Sequence, residues 1–168
     1  NDQVFITTAI PVSDGQGTLD FRLLCYDRKT GTKQWDHSCI KAIPHEGTHS
    51  TNGYASASPC TNGRYVYAHF GSQGLYCLTM EGEPVWNRDF GGMHTRNEFG
   101  EGSSPTLVDD KIVIPWDHEG PSRLFCLNAK TGETLWDIPR DEPTCWATPL
   151  IVTLDDGSKQ VAMNGQNA

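Results

Sequence analysis

Residues Pro44 to Gly53 read PHEGTHSTNG, and within them His45-Glu46-Gly47-Thr48-His49 fits H-E-x-x-H. In that pattern two imidazoles one helical turn apart bind zinc, and the glutamate between them acts as general base. The chemistry needs a helix. Here Pro44 precedes the string, Gly47 interrupts it and Ser50-Thr51-Asn52-Gly53 follows it, so a loop is expected in place of a peptidase centre. A second acid–imidazole group, Asp117-His118-Glu119, is contiguous. Neighbours in an extended chain point to opposite sides and rarely converge on one ion, so no metal site is expected there either. No G-x-S-x-G elbow and no phosphate-binding glycine loop occurs. No residue is assigned a catalytic role.

The unusual polar side chains nevertheless gather in four stretches. His45, Glu46, His49 and Asn52 share the first, and His94, Arg96, Asn97 and Glu98 the second. Trp116, Asp117, His118 and Glu119 form the third, and Arg140, Asp141, Glu142 and Trp146 the fourth. Two readings stand side by side. These groups line one face that binds a small ligand, an ion or a partner protein, or Arg96 and Arg140 pair with nearby carboxylates simply to fix loops.

The elements that must position them come from a chain of 168 residues with 36% hydrophobic content, 17 glycines and 10 prolines. That is the composition of a turn-rich globular domain. The net charge of −8 repels phosphate backbones, so nucleic acid is not an expected partner. No run approaches 18 apolar residues, so no membrane-spanning helix is expected. The first residues, NDQVFITTAI, already read as a strand, with no initiator Met and no signal peptide.

Three segments align with one another: Leu23 to Asp36, Leu75 to Asn87 and Leu124 to Asp137. Their tryptophans, Trp35, Trp86 and Trp136, are spaced by 51 and 50 residues, and their turn glycines, Gly31, Gly82 and Gly132, by the same intervals. Pro59, Pro105 and Pro149 mark a second landmark at spacings of 46 and 44. A period near 50 in short strands predicts an all-β fold, a β-propeller of four-stranded antiparallel blades. In the third repeat SSPTLVDD is strand A, KIVIPW strand B, RLFCLNA strand C and TLWDIP strand D. Ile112-Val113-Ile114 does not alternate with polar residues, as befits a strand covered on both faces. Residues 1–38 supply strands B to D, 54–89 and 102–138 two full blades, and 146–168 strands A and B. With closure at four to eight blades, the chain reads as an internal piece of one larger propeller domain, completed by further blades. The A–B and C–D turns are short, whereas the D–A loops (37–54, 88–102, 139–145) and the first B–C loop are long. D–A and B–C connections share one face, which is therefore the candidate ligand or partner face.

The six cysteines include no C-x-x-C pair. Cys25, Cys77 and Cys126 fall at equivalent strand-C positions on successive blades, roughly 10 Å apart, beyond disulfide reach. The pairing of Cys39, Cys60 and Cys145 stays open.

The unit L-x-C-L-N-A-K-T-G-E-T-L-W resembles the PQQ-like (pyrroloquinoline quinone) β-propeller repeat, and the resemblance covers nearly the whole chain. GLYCL, TRNEFGEGSSP, PWDHEG and RDEPTCWATPL are similar to exported bacterial members of unknown function. The resemblance implies that Trp35, Trp86 and Trp136 dock an outer strand on the adjacent blade. It implies an exported or periplasmic location and a non-catalytic binding or scaffold role, without a cofactor. The alternative it leaves is part of a quinoprotein oxidoreductase using PQQ and calcium. Such enzymes carry an adjacent Cys-Cys pair over the quinone, and no two cysteines are adjacent here.

Overall fold

A computed structural model of the chain describes residues 2–166. Asn1, Asn167 and Ala168, which the expected first and last blades include, lie outside the described residues. Among the latter there is no α-helix. Two short 3-10 turns, at Gly71–Gln73 and Arg96–Glu98, are the helical content.

The strands fall into four separate antiparallel sheets. In the first, β1 (Gln3–Pro11), β2 (Leu19–Asp27) and β3 (Lys33–Ala42) lie in chain order. The second holds β4 (Cys60–Thr61), β5 (Tyr65–His69), β6 (Leu75–Thr79) and β7 (Pro84–Arg88). The third holds β8 (Thr106–Val108), β9 (Lys111–Trp116), β10 (Arg123–Asn128) and β11 (Thr134–Pro139). The last pairs β12 (Leu150–Thr153) with β13 (Lys159–Ala162). This is the expected succession of a three-stranded blade, two four-stranded blades and a strand pair.

One expected boundary moves. The loop taken to start at residue 37 starts after Ala42, because β3 continues alongside β2 up to its first residue, with Leu19 opposite Ala42. Two register shifts in that pairing let Ile40 and Ala42 pack on the buried Phe21–Leu23 cluster.

Burial explains the lack of polar alternation. Val66 and Ala68 of β5 join the cluster of the first sheet, while Tyr67 between them joins Ile112 and Ile114 of the third. Val113 in turn packs with Leu124 and Cys126 near Val161 of the last sheet. Successive side chains of a strand point to opposite faces, so a sheet held between two neighbours is apolar on both.

The repeated tryptophans tie the sheets together. Trp35 Nε1 donates to the Met80 carbonyl at 2.9 Å, and Trp86 Nε1 donates to the Ala129 carbonyl at 3.3 Å. Each ring lies on the turn glycine of the next sheet. A Cβ on Gly82 would stand 2.8 Å from the Trp35 ring, and one on Gly132 would stand 2.7 Å from the Trp86 ring. Both glycines also have positive φ (93° and 74°), so backbone and space make the same demand. Trp136 is 37% exposed.

The small residues before each proline bridge the sheets on their inner side. Ser58 N donates to Ser104 Oγ at 2.9 Å, and Ser104 N donates to Thr148 Oγ1 at 3.1 Å. All six cysteines are free thiols, including the three whose pairing the sequence left open. Burial pushes the Cys39, Cys60 and Cys77 thiols up to about 12, so they behave as apolar core groups.

Candidate functional site

The long loops line a groove that is open to solvent. Its lining comes from all of the inter-sheet loops: His45 and Glu46 from the first, Thr95 and Glu101 from the second, Thr144 and Trp146 from the third. His69 at the end of β5 and Asp117 after β9 contribute as well.

Carboxylates latch these loops to one another. Glu46 Oε1 accepts from the Thr95 amide at 2.9 Å and from its hydroxyl at 2.6 Å. Glu119 Oε1 accepts from the Thr144 amide at 3.2 Å and its hydroxyl at 2.8 Å. Glu101 accepts from the Ser72 amide at 2.7 Å and also from its hydroxyl. Burial opposes ionisation of Glu46, but the two Thr95 bonds and the flanking histidines outweigh it and hold its carboxyl below the usual range. At Glu101 burial prevails and raises the carboxyl.

The basic residues of the loops are engaged in the same task. Arg140 Nε lies 2.8 Å from Asp117 Oδ1 and its guanidinium 3.9 Å from Glu142, while Arg96 lies 3.4 Å from Glu119 and 3.1 Å from Gln166. Glu142 Oε2 also accepts from the Gln166 amide at 2.7 Å. Loop fixing is thus what the geometry gives for Arg96, Arg140 and Glu119. Desolvation raises the Asp117 carboxyl despite Arg140, and its Oδ2 is buried without a hydrogen-bond partner among the described residues.

Other expected face residues lie elsewhere. Trp116 is not at the face: it is 3% exposed and packs at 5.4 Å from Phe90, because β9 carries it into the core. His118 is buried too, and its Nδ1 accepts from the His94 amide at 3.1 Å and the Gly120 amide at 3.3 Å. Desolvation lowers it, in keeping with a neutral ring. His49 turns away from Glu46. It bonds Thr51 Oγ1 at 2.8 Å through Nδ1 and stands edge-on to Phe99. Asn52 Nδ2 donates to the Phe99 carbonyl at 2.9 Å. Asn97 and Glu98 sit at positive φ in the exposed 3-10 turn, and Asp141 is exposed. Trp146 does reach the groove, and its Nε1 donates to the Gly100 carbonyl at 2.7 Å.

His94 and His45 converge on Glu46. Glu46 Oε2 lies 3.4 Å from His94 Nδ1 and 4.0 Å from His45 Nε2. His45 Nε2 donates to the Met93 carbonyl at 2.6 Å.

Sequence reasoning passed over His69. It is 1% exposed, stands between Phe90 and Trp116, and neither ring nitrogen has a hydrogen-bond partner among the described residues. Burial lowers it to about 4, so it is a neutral imidazole. The available signal was a histidine where the third repeat has Pro115, in an otherwise apolar strand.

A family model described as outer membrane protein assembly factor BamB, a PQQ repeat, matches residues 19–166. The chain belongs to this family. Among solved structures, BamB from Moraxella catarrhalis is similar at 16% identity and a TM-score of 0.57, over 92% of this chain and 46% of that one. A europium-containing methanol dehydrogenase is similar at 13% identity and a TM-score of 0.57, over 85% of this chain and 24% of that one. The quinohemoprotein alcohol dehydrogenase ADHIIG from Pseudomonas putida HK5 follows at 17% identity and a TM-score of 0.51, over 79% and 20%. No curated protein sequence gives a significant match. The fold is therefore that of PQQ-repeat β-propellers, and the chain spans less than half the length of these solved relatives.

Quinoprotein relatives raise the question of PQQ. The groove offers Cys145 as a single thiol beside Trp146, without the adjacent cysteine pair of a quinoprotein site. These residues do not fit the quinone.

Proposed function

We propose that this chain is a non-catalytic binding or scaffold part of a PQQ-repeat propeller, with its ligand or partner protein on the long-loop face. One observation carries the reading: the groove is open, yet its walls are held in place by bonds between loops of different sheets, and two buried polar groups lining it, His69 and Asp117 Oδ2, have no hydrogen-bond partner among the described residues. Pre-organised concave surfaces with a few polar groups are the usual form of a binding site. Trp35 and Trp86 act as docking tryptophans. The exposed apolar side chains of β11 (Leu135, Trp136, Ile138) suit further blades of the same propeller. Kinship with BamB supports an exported, periplasmic bacterial protein that works through protein contacts. Among the described residues no helix is long and apolar enough to cross a membrane.

The test places a photo-crosslinking residue at Trp146 in the groove, and separately at Lys130 in a short turn on the opposite side, in the native cell. A discrete adduct from position 146 alone is expected. Equal labelling at both positions, or none at either, would overturn the reading. The quinoprotein alternative is tested by adding PQQ and Ca²⁺ and following absorbance and dye reduction. Turnover would replace the binding reading with an oxidoreductase one.

A further inference from the structure

The two histidines around Glu46 form a constellation that the binding reading does not use. One ring nitrogen of His45, one of His94 and one carboxylate oxygen of Glu46 all lie within 4.8 Å of one another. We propose that His45, Glu46 and His94 bind a divalent transition-metal ion of the Zn²⁺ class, bridging the first two inter-sheet loops.

The donor chemistry fits. Two imidazoles and a carboxylate are a borderline-soft set that suits zinc and leaves a fourth position open. Donors about 2.0–2.2 Å from a tetrahedral ion stand roughly 3.4 Å apart. The Glu46–His94 separation is already 3.4 Å, so the remaining movement falls on His45 and on His94, whose side chain is three-quarters exposed.

Orientation is supplied by the second layer of contacts. Thr95 occupies Glu46 Oε1 twice over, which presents Oε2 to the two rings. His45 Nε2, the nitrogen nearest Glu46, also reaches the Met93 carbonyl at 2.6 Å, and binding the ion requires that bond to be given up. A hydroxyl behind the carboxylate is what orients a metal-binding side chain. Glu101 lines the same groove and is held by Ser72.

Adjacent residues rarely ligate one ion from an extended chain, and here the chain bends at His45-Glu46. The bend sends both side chains to one side. His49, the second histidine of H-E-x-x-H, is not in the set; His94 from the next loop stands in its place.

The experiment uses the whole chain, stripped with chelator and titrated with ZnCl₂ by calorimetry. One ion per chain is expected. Affinity should fall at least tenfold in His94→Ala and in Glu46→Gln, and should hold in His49→Ala. His94 is exposed, so its variant should keep the wild-type circular dichroism. Co²⁺ in place of zinc should give the visible bands of a tetrahedral nitrogen and oxygen site. No binding, equal affinity in wild type and His94→Ala, loss in His49→Ala, or a Co²⁺–thiolate band from a cysteine would each overturn the proposal. None of these outcomes touches the crosslinking at Trp146, so the two ideas fail separately.

Discussion

The short-turn side of the sheets and the long-loop side are held together by different physics. On the short-turn side an indole ring lies flat on a glycine of the next sheet and donates to a nearby carbonyl, first at Trp35 and Gly82, then at Trp86 and Gly132. On the long-loop side a carboxylate clasps a threonine, Glu46 with Thr95 and Glu119 with Thr144. The first arrangement repeats at one period because it depends on ring volume and a turn of constant length. The second repeats its chemistry without its spacing: Glu46 lies on a D–A loop and Glu119 on a B–C loop. Apolar packing is strong and indifferent to pH, whereas the polar latches are individually weaker and sensitive to it, and they border an open groove.

The sharpest way to break this comparison is to remove the rings. Trp86→Ala should lower unfolding free energy by about 3–5 kcal/mol in denaturant titrations, the cost of deleting a packed ring. Trp136→Ala should cost about 1 kcal/mol or less, since that ring is 37% exposed. Equal losses would mean that Trp136 is covered in solution and that the two ring positions do not differ.

A second contrast lies in pH. Burial holds His69 neutral down to about 4 in the folded chain, while the unfolded chain takes up that proton near pH 6.5. Its contribution is fully present above about 6.5 and is lost as pH falls toward 4, by up to about 3 kcal/mol. Glu101 and Asp117, whose carboxyls burial raises, act in the opposite direction as they protonate. His69→Leu should therefore flatten the fall in melting temperature between pH 7 and pH 4.5. An unchanged slope in the variant would show that His69 is not the group responsible.

The smallest effect concerns single hydroxyls. Thr95→Val removes a donor to Glu46 and an acceptor for the Gly100 amide, and should cost about 1–2 kcal/mol. Thr131→Val, in an exposed short turn, should stay within about 0.5 kcal/mol. Similar values for the two would remove the distinction between a latch and a surface turn.

Much of the fold was legible because its signals are local and periodic. KIVIPW and TLWDIP are the observed limits of β9 and β11, and the tryptophan and glycine spacings point to the rings and turns that meet. The end of β3 lies at Ala42, beyond the expected start of the loop at residue 37, since strand length there follows from pairing with β2 and from the packing of Ile40. Of the expected face residues, His45, Glu46, Asp117 and Trp146 line the groove, whereas Trp116 and His118 are buried away from it. Polar character placed a residue near a loop but did not reveal which way its side chain turned.

By itself the sequence determined the all-β repeat fold and the recurring ring and turn positions, because each follows from a period or from turn chemistry within a few residues. Only the tertiary structure decided what those loops make. Thr95 must cross from another loop to orient Glu46, His94 must come from that loop to meet His45, and His69 must be enclosed by Phe90 and Trp116 to be held as a buried, neutral ring. The loops differ in length and carry no common register, so no spacing along the chain encodes those meetings.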